Sequence, residues 1–200
     1  MQFKKILALA PHTDDVELGC GGLLSKYKDT AQIDVIGFTA AQSLSKGDPV
    51  KEFYKAMSFI KANVKFLNYE PRVLLEQRQR ILNFLWELNQ KNKYDLVLCP
   101  CSYDNHQDHQ AIYSECFRAF KTTTILGYEL PWNNRTFRTD VFVPLTKKDL
   151  DLKYTMIDCY KTQGERAFMG KNYIYDIART RGLQIGVEFA ESYEAIRMIL

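Results

Sequence analysis

The chain contains three histidines, at positions 12, 106 and 109, and each has aspartates close by. One group reads Pro11-His12-Thr13-Asp14-Asp15 and the other reads Asp104-Asn105-His106-Gln107-Asp108-His109. Two neutral imidazoles and a carboxylate form the kind of set that zinc hydrolases use, leaving one position open for water. A cation held this way lowers the pKa of water to about 7, so hydroxide becomes available at neutral pH. Hydrolysis then needs a second carboxylate as general base and a further group to support what leaves. The inventory fits: three ligands, a spare aspartate in the first group and a spare histidine in the second. The same donors also suit Fe(II), so a non-haem oxygenase stays open on ligand type alone.

Taken singly, each piece has a plainer explanation. Asp14 and Asp15 suit the positive end of a helix, and Asp104 and Asn105 suit a turn. The coincidence decides, because every histidine of the chain falls in one of these two segments.

The segments must be brought together by the elements around them. Lys5 to Ala10 is short and apolar and reads as a buried strand, with a helix over Val16 to Lys28 behind it. Further strands are expected at Ile33 to Thr39, Val64 to Asn68, Tyr94 to Cys99, Thr123 to Glu129 and Thr139 to Val143. Between them, helices are expected at Val50 to Ala62, Val73 to Asn89, His109 to Phe120 and Lys147 to Lys161, and within Ala167 to Arg181. The tail, Val187 to Leu200, reads as a short strand or loop and a last helix. Strands alternating with helices of this length imply βαβ units, a mainly parallel sheet and one doubly wound, Rossmann-like α/β domain over residues 1–200. Such sheets bind ligands beyond the carboxyl ends of their strands, where the strand order reverses. If the first and fourth strands are neighbours there, both polar segments face one crevice.

Composition narrows the classes. With 46% hydrophobic and 26% charged residues over 200 positions, the chain can bury a real core. A net charge of +3 is too small to argue for nucleic acid. No apolar run approaches the length of a membrane span. The run from Ile6 to Pro11 is also too short for a signal peptide, so a cytoplasmic protein is expected. The five cysteines follow no disulfide or zinc spacing and read as reduced, buried thiols.

The two segments also resemble a family. Pro11 to Gly22, Pro-His-Thr-Asp-Asp-Val-Glu-Leu-Gly-Cys-Gly-Gly, is similar to the His-Pro-Asp-Asp signature of PIG-L/LmbE-like N-acetylglucosaminyl deacetylases. His106-Gln107-Asp108-His109 resembles that family's His-x-Asp-His, and Lys153, Tyr160 and Gln163 more weakly match its Lys…Tyr…Gln stretch. The resemblance implies that His12, Asp15 and His109 bind zinc and that Asp14 is the general base. It implies that His106 supports the oxyanion or protonates the amine, and that Asp108 orients a nearby imidazole. The implied reaction removes an N-acetyl group from a small amino-sugar conjugate, releasing acetate and a free amine. A homo-oligomer is also in keeping with enzymes of this type, and a non-catalytic sugar-binding protein on the same fold is the remaining rival.

The sequence departs from the family pattern at several places. Thr13 and Gln107 stand where many members have proline, and Asp104 stands where some have tyrosine. Pro49-Val50-Lys51-Glu52 stands where many have Arg-x-x-Glu, so the sugar-anchoring arginine is missing. Trp132 could stack on a sugar ring, and Arg135 or Arg138 could hold an anion. Gly19-Cys20-Gly21-Gly22 lacks a phosphate-loop pattern and reads as close helix–sheet packing. Lys161 to Lys171 is charge-rich and reads as a solvated face or a mobile lid.

Overall fold

A computed structural model describes residues 3–199; Met1, Gln2 and Leu200, which fall within the N-terminal and tail readings, lie outside the described residues. The chain runs β1 (Lys5–His12), α1 (Asp15–Tyr27), β2 (Gln32–Thr39), α2 (Pro49–Ser58), β3 (Asn63–Phe66), α3 (Arg78–Asn92) and β4 (Leu96–Pro100). It continues through α4 (Gln107–Ala119), β5 (Thr124–Tyr128), β6 (Val141–Leu145), α5 (Lys147–Ile157), α6 (Lys171–Leu183) and β7 (Phe189–Arg197). The strands form one sheet in the order β3-β2-β1-β4-β5-β7-β6. The pairings from β3 through to β5 are parallel, and β7 lies antiparallel between β5 and β6. A single α/β domain results, with the order reversing between β1 and β4 as the sequence predicts.

Both faces of the sheet are covered, which explains why β1 reads as an unbroken apolar run. Ile6, Ala8 and Ala10 pack with Val16, Leu24, Met57 and Met156 on one side. Leu7 and Leu9 face the other way and pack with Ile81, Leu85, Ile112 and Cys116. Among the described residues all five cysteines are free and buried, as expected. Leu74, just before α3, and Ile81 and Leu85 within it are buried, while Arg78 pairs with the buried Glu115 carboxylate.

Helix α1 is not continuous. At Cys20 the backbone leaves helical geometry (φ −142°, ψ 16°), and the turn that follows presents its N–H groups like a new helix start. The Glu191 carboxylate accepts from Gly22 N (2.8 Å) and Leu23 N (2.7 Å), and also takes the Lys153 ammonium (2.7 Å) and the Tyr193 hydroxyl (2.7 Å). The glycines make this approach possible. A Cβ on Gly22 would sit 2.8 Å from that carboxylate, and one on Gly19 would fall 2.3 Å from the Tyr128 ring.

The tail corrects the expectation of a final helix, since Phe189–Arg197 is a nine-residue strand. Glu191 and Glu194 make the segment look like a solvated helical face, but both are buried. Each is satisfied by fixed donors, Glu194 by the Ser102 amide (2.7 Å) and hydroxyl (2.6 Å). A buried carboxylate with full hydrogen bonding is stable where an unpartnered one is not, and no pattern of hydrophobicity shows the difference.

Replacing Glu191 with alanine would strand the Lys153 cation and orphan two amides. Removing one partner of a buried pair typically costs about 3–5 kcal/mol. Denaturant titration of Glu191→Ala is therefore expected to show a loss of that order; a loss below about 1 kcal/mol would remove this carboxylate from the account of the kinked helix.

Candidate metal centre

The two polar segments meet at the carboxyl ends of β1 and β4. His12 is the last residue of β1, paired in register with Thr39, and the chain turns there into α1. The turn is fastened by Thr39 Oγ1 donating to the Pro11 carbonyl (2.9 Å) and by Thr13 Oγ1 accepting from Ala41 N (3.1 Å). The residue that departs from the family pattern thus ties the loop to its neighbour. The Tyr160 hydroxyl is shared between the Thr13 carbonyl and Glu17. Across the crevice, α4 begins just after His106, whose Nδ1 caps it by accepting from Asp108 N (3.2 Å). His106 N in turn donates to Asp104 Oδ1 (2.8 Å).

Three acceptor atoms converge in the floor of this crevice. His12 Nδ1, His109 Nε2 and Asp15 Oδ2 lie 3.1, 3.2 and 3.2 Å from one another. The far nitrogens are both committed. His12 Nε2 meets Asp108 Oδ2 at 3.1 Å, and His109 Nδ1 meets Asp104 Oδ2 at 2.7 Å. Those carboxylates hold the ring protons on the outer nitrogens and turn both inner lone pairs toward the Asp15 oxygen. Three acceptors at this separation require a positive charge among them. Burial alone would lower the pKa of each imidazole, but Asp15 overrides it and draws His12 up to about 9 and His109 up to about 10. Burial would likewise raise Asp15, and the two imidazoles hold it far below the usual carboxylate range instead.

Zinc fits the same place. Ligand distances of 2.0–2.2 Å in a tetrahedron separate donor atoms by roughly 3.3–3.6 Å, close to the separations here. The orienting carboxylates are the outer partners that metal-ligating histidines usually have. His106 completes a three-histidine cluster whose donor atoms lie within 4.8 Å of one another. Its Nδ1 accepts the Asp108 amide, which leaves the neutral ring's proton on Nε2. Burial and the two neighbouring imidazoles lower its pKa, which favours the neutral ring. Asp15 therefore completes the tighter ligand triangle.

Asp14, the spare carboxylate, is buried beside this triangle and makes no side-chain cap to α1. Burial and the adjacent Asp15 push its pKa up to about 6, with His12 and Arg166 pulling the other way. A carboxylate with that pKa is ionised at neutral pH yet basic enough to take a proton. Asp108 accepts the backbone amides of Arg72 (2.7 Å) and Leu74 (3.2 Å) in addition to His12. Burial alone would raise its pKa; the His12 contact and those amides lower it.

The cavity above the triangle has a volume of about 730 Å³ and is walled by Asp14, His106, Arg72, Trp132, Gln163 and Arg166, among others. Trp132 stacks on Phe168 at 3.9 Å, with rings 9° from parallel, so one face of its indole is already covered. Its loop is joined to the second histidine segment by the Asp104–Asn134 bridge and the Asn105 contacts to Asn133. Arg135 and Arg138 lie outside the cavity wall, and Arg138 pairs with Asp140 (3.1 Å). The arginines at the mouth are instead Arg72 and Arg166. The charge-rich stretch after α5 is fastened rather than free. Glu52 takes the Thr162 hydroxyl (2.5 Å), Leu44 N donates to the Thr162 carbonyl (2.9 Å) and Gln163 Nε2 donates to the Gln42 carbonyl (2.8 Å).

Sequence reasoning treated Asp104 as a turn residue and passed over Arg72 and Arg166. A signal for Asp104 existed in its spacing, because it lies five residues before His109, across the start of α4. Nothing local marks the two arginines, since they reach the site from loops more than 90 residues apart.

A curated relative from Escherichia coli K12, the uncharacterized deacetylase YaiS, is 28% identical over 169 residues, 80% of this chain and 91% of its own. The N,N'-diacetylchitobiose deacetylase of Pyrococcus horikoshii has the same fold, with a TM-score of 0.77 at 20% identity, covering 96% of this chain and 83% of that one. So does the 4-carboxy-2-hydroxymuconate hydratase GalB of Pseudomonas putida KT2440, with a TM-score of 0.82 at 18% identity over 98% of each chain. At these identities the solved structures establish architecture alone. The profile of the PIG-L family, GlcNAc-PI de-N-acetylase, matches residues 7–120 and spans both histidine segments. With more than half its length matched, the chain belongs to the PIG-L family of de-N-acetylases.

Proposed function

We propose that this protein is a zinc-dependent hydrolase that removes the N-acetyl group from an N-acetylglucosamine-type amino-sugar conjugate. The observation that carries the reading is the triangle of His12, His109 and Asp15 with the buried carboxylate of Asp14, not used to cap α1, beside it. Family membership supports deacetylation, and the intact donor set argues against a sugar-binding protein without activity. It also favours hydrolysis over the iron oxygenase alternative, because a base beside the ligands suits water activation.

Zinc in the triangle would supply Lewis acidity toward water and the acetyl carbonyl. Asp14 takes the proton of the attacking water as the new C–O bond forms. The Nε2–H of His106 is the donor available to the carbonyl oxygen as negative charge develops there, an oxyanion contact of the usual kind. Asp14 then returns the proton to the sugar nitrogen as the C–N bond breaks, giving acetate and a free amine. Asp108 and Asp104 hold the two ligand imidazoles in the required tautomers. Trp132 offers an apolar wall to the sugar. A cytoplasmic location is in keeping with five free thiols and with the finding that no helix among the described residues is long and apolar enough to cross a membrane.

An amine-release screen over N-acetylglucosamine conjugates with zinc present tests the reading directly. Oxygen consumption in place of acetate release would favour the iron chemistry. Asp14→Asn is expected to keep its zinc while turnover drops by about 10²–10⁴-fold; near wild-type acetate release would exclude Asp14 as the base. For the ligand set, elemental analysis of His12→Ala and His109→Ala should show zinc well below one per chain. Asp104→Ala retains all three ligands, and its zinc affinity should fall by about 10–100-fold, as read by competition with a chelating dye.

A further inference from the structure

The turn that follows α5 carries two polar atoms that no other group meets. Gln163 is fully buried in the cavity wall, and its Oε1 has no hydrogen-bond partner. Three residues later, Arg166 Nε is likewise buried without an acceptor. The Gln163 amide is not free to reverse. Its Nε2 donates to the Gln42 carbonyl (2.8 Å), and a carbonyl can only accept, so the amide oxygen must face the other way. The same Gln42 carbonyl takes Arg166 Nη2 at 3.5 Å, while the Gln42 side chain takes Arg72 Nη2 at 2.7 Å. Both lone pairs of that carbonyl are thus engaged, and none is left for Arg166 Nε.

The turn is also fixed from behind. Glu52 accepts the Thr162 hydroxyl, Gln163 N donates to the Tyr160 carbonyl (3.0 Å) and Arg166 N to the Gln163 carbonyl (3.0 Å). The charge of Arg166 is already answered, since it acts on Asp14, and its guanidinium lies over the Phe168 ring at 5.7 Å from the centroid. What remains open is one N–H donor and one amide oxygen on the same wall.

A buried donor or acceptor is costly to leave unmet, so the pair specifies the chemistry of its ligand. An anion would meet the donor but not the oxygen, and a cation the oxygen but not the donor. A hydroxyl serves both with a single oxygen, accepting from Nε–H and donating to Oε1. An acetamide has both functions as well, but in the deacetylase reading its carbonyl belongs to the metal triangle and His106. We propose that Gln163 and Arg166 form a subsite that reads a free ring hydroxyl of the sugar. This rests on the deacetylase reading for the sugar and on the unmet pair for the hydroxyl. The charge of Arg166 reaches Asp14, so the subsite stands beside the reacting acetamido group. The 3-hydroxyl, on the neighbouring ring carbon, is therefore the one assigned to it, and sugars capped at that oxygen are rejected.

Methyl N-acetylglucosaminide and its 3-deoxy, 3-O-methyl and 4-deoxy analogues test the assignment. Calorimetry on the zinc-loaded Asp14→Asn protein reads affinity without hydrolysis. The 3-deoxy analogue is expected to bind about tenfold more weakly than the parent. The 3-O-methyl analogue keeps the acceptor but not the donor and should bind no better, whereas the 4-deoxy analogue should stay within about twofold of the parent. Adding Gln163→Leu should bring parent and 3-deoxy analogue to within about twofold of each other. A merely structural role for Gln163 would weaken all four by one factor and keep their ratios, which overturns the proposal. Arg166→Lys keeps a cation for Asp14 but lacks the Nε–H, so it should shrink the same ratio and gives a second route if Gln163→Leu does not fold. Equal binding of parent and 3-deoxy analogue overturns the subsite and leaves it to an ordered water only; a loss confined to the 4-deoxy analogue, or no binding of the parent, overturns it too. Amine release from the parent by the wild-type protein reports separately on the deacetylase reading, which fails without it whatever the affinity ratios.

Discussion

Two lone pairs and a carboxylate oxygen, each about 3 Å from the others, are not a stable arrangement by themselves. That cluster at the end of β1 is the constraint to which much of the surrounding structure answers. It exists only because Asp108 and Asp104 occupy the outer nitrogens of His12 and His109 and so decide which nitrogen points inward. Asp108 is in turn held by the amides of Arg72 and Leu74, and Asp104 by the His106 amide. The candidate ligand set is thereby held in place by hydrogen bonds of its own. Pre-organisation of this kind would favour a cation, because ordering three side chains at the moment of binding subtracts from affinity.

The fold provides the scaffold through its strand order. β1 and β4 are adjacent, and their connections leave toward opposite faces of the sheet, with α1 on one and α4 on the other. A crevice opens at that divergence, and the first turns of α1 and α4 deliver Asp15 and His109 into it. The break in α1 at Cys20 keeps this first turn apart from the remainder of the helix. Behind the break the Glu191 carboxylate serves the freed amides. A carboxylate in the antiparallel strand β7 thus supports an element whose start carries a candidate ligand and a candidate base.

Much of this was legible in the residues. Buried strands announced themselves as short apolar runs, and helices by their stripes, because period and polarity are local properties. The convergence of the two histidine segments on one crevice was also legible, although His12 closes β1 and His109 lies in the first turn of α4 rather than in a loop. The tail was not, since nothing along the chain shows the donors that bury Glu191 and Glu194 in a strand. Arg72 and Arg166 were missed for a related reason. Side chains from distant loops become neighbours only when Gln42 joins them, and spacing along the chain carries no trace of that.

The sequence by itself determined the donor types, their grouping in two segments and the alternating order of elements that places both segments at the carboxyl edge of a parallel sheet. Only the tertiary structure decided which nitrogen of each imidazole faces inward, that Asp104 partners His109 in addition to making its turn with the His106 amide, and which arginines guard the mouth. The physical reason is the same in each case. Residue type sets what an atom can donate or accept, whereas tautomer, partner and charge environment depend on distances of about 3 Å between residues far apart in the chain.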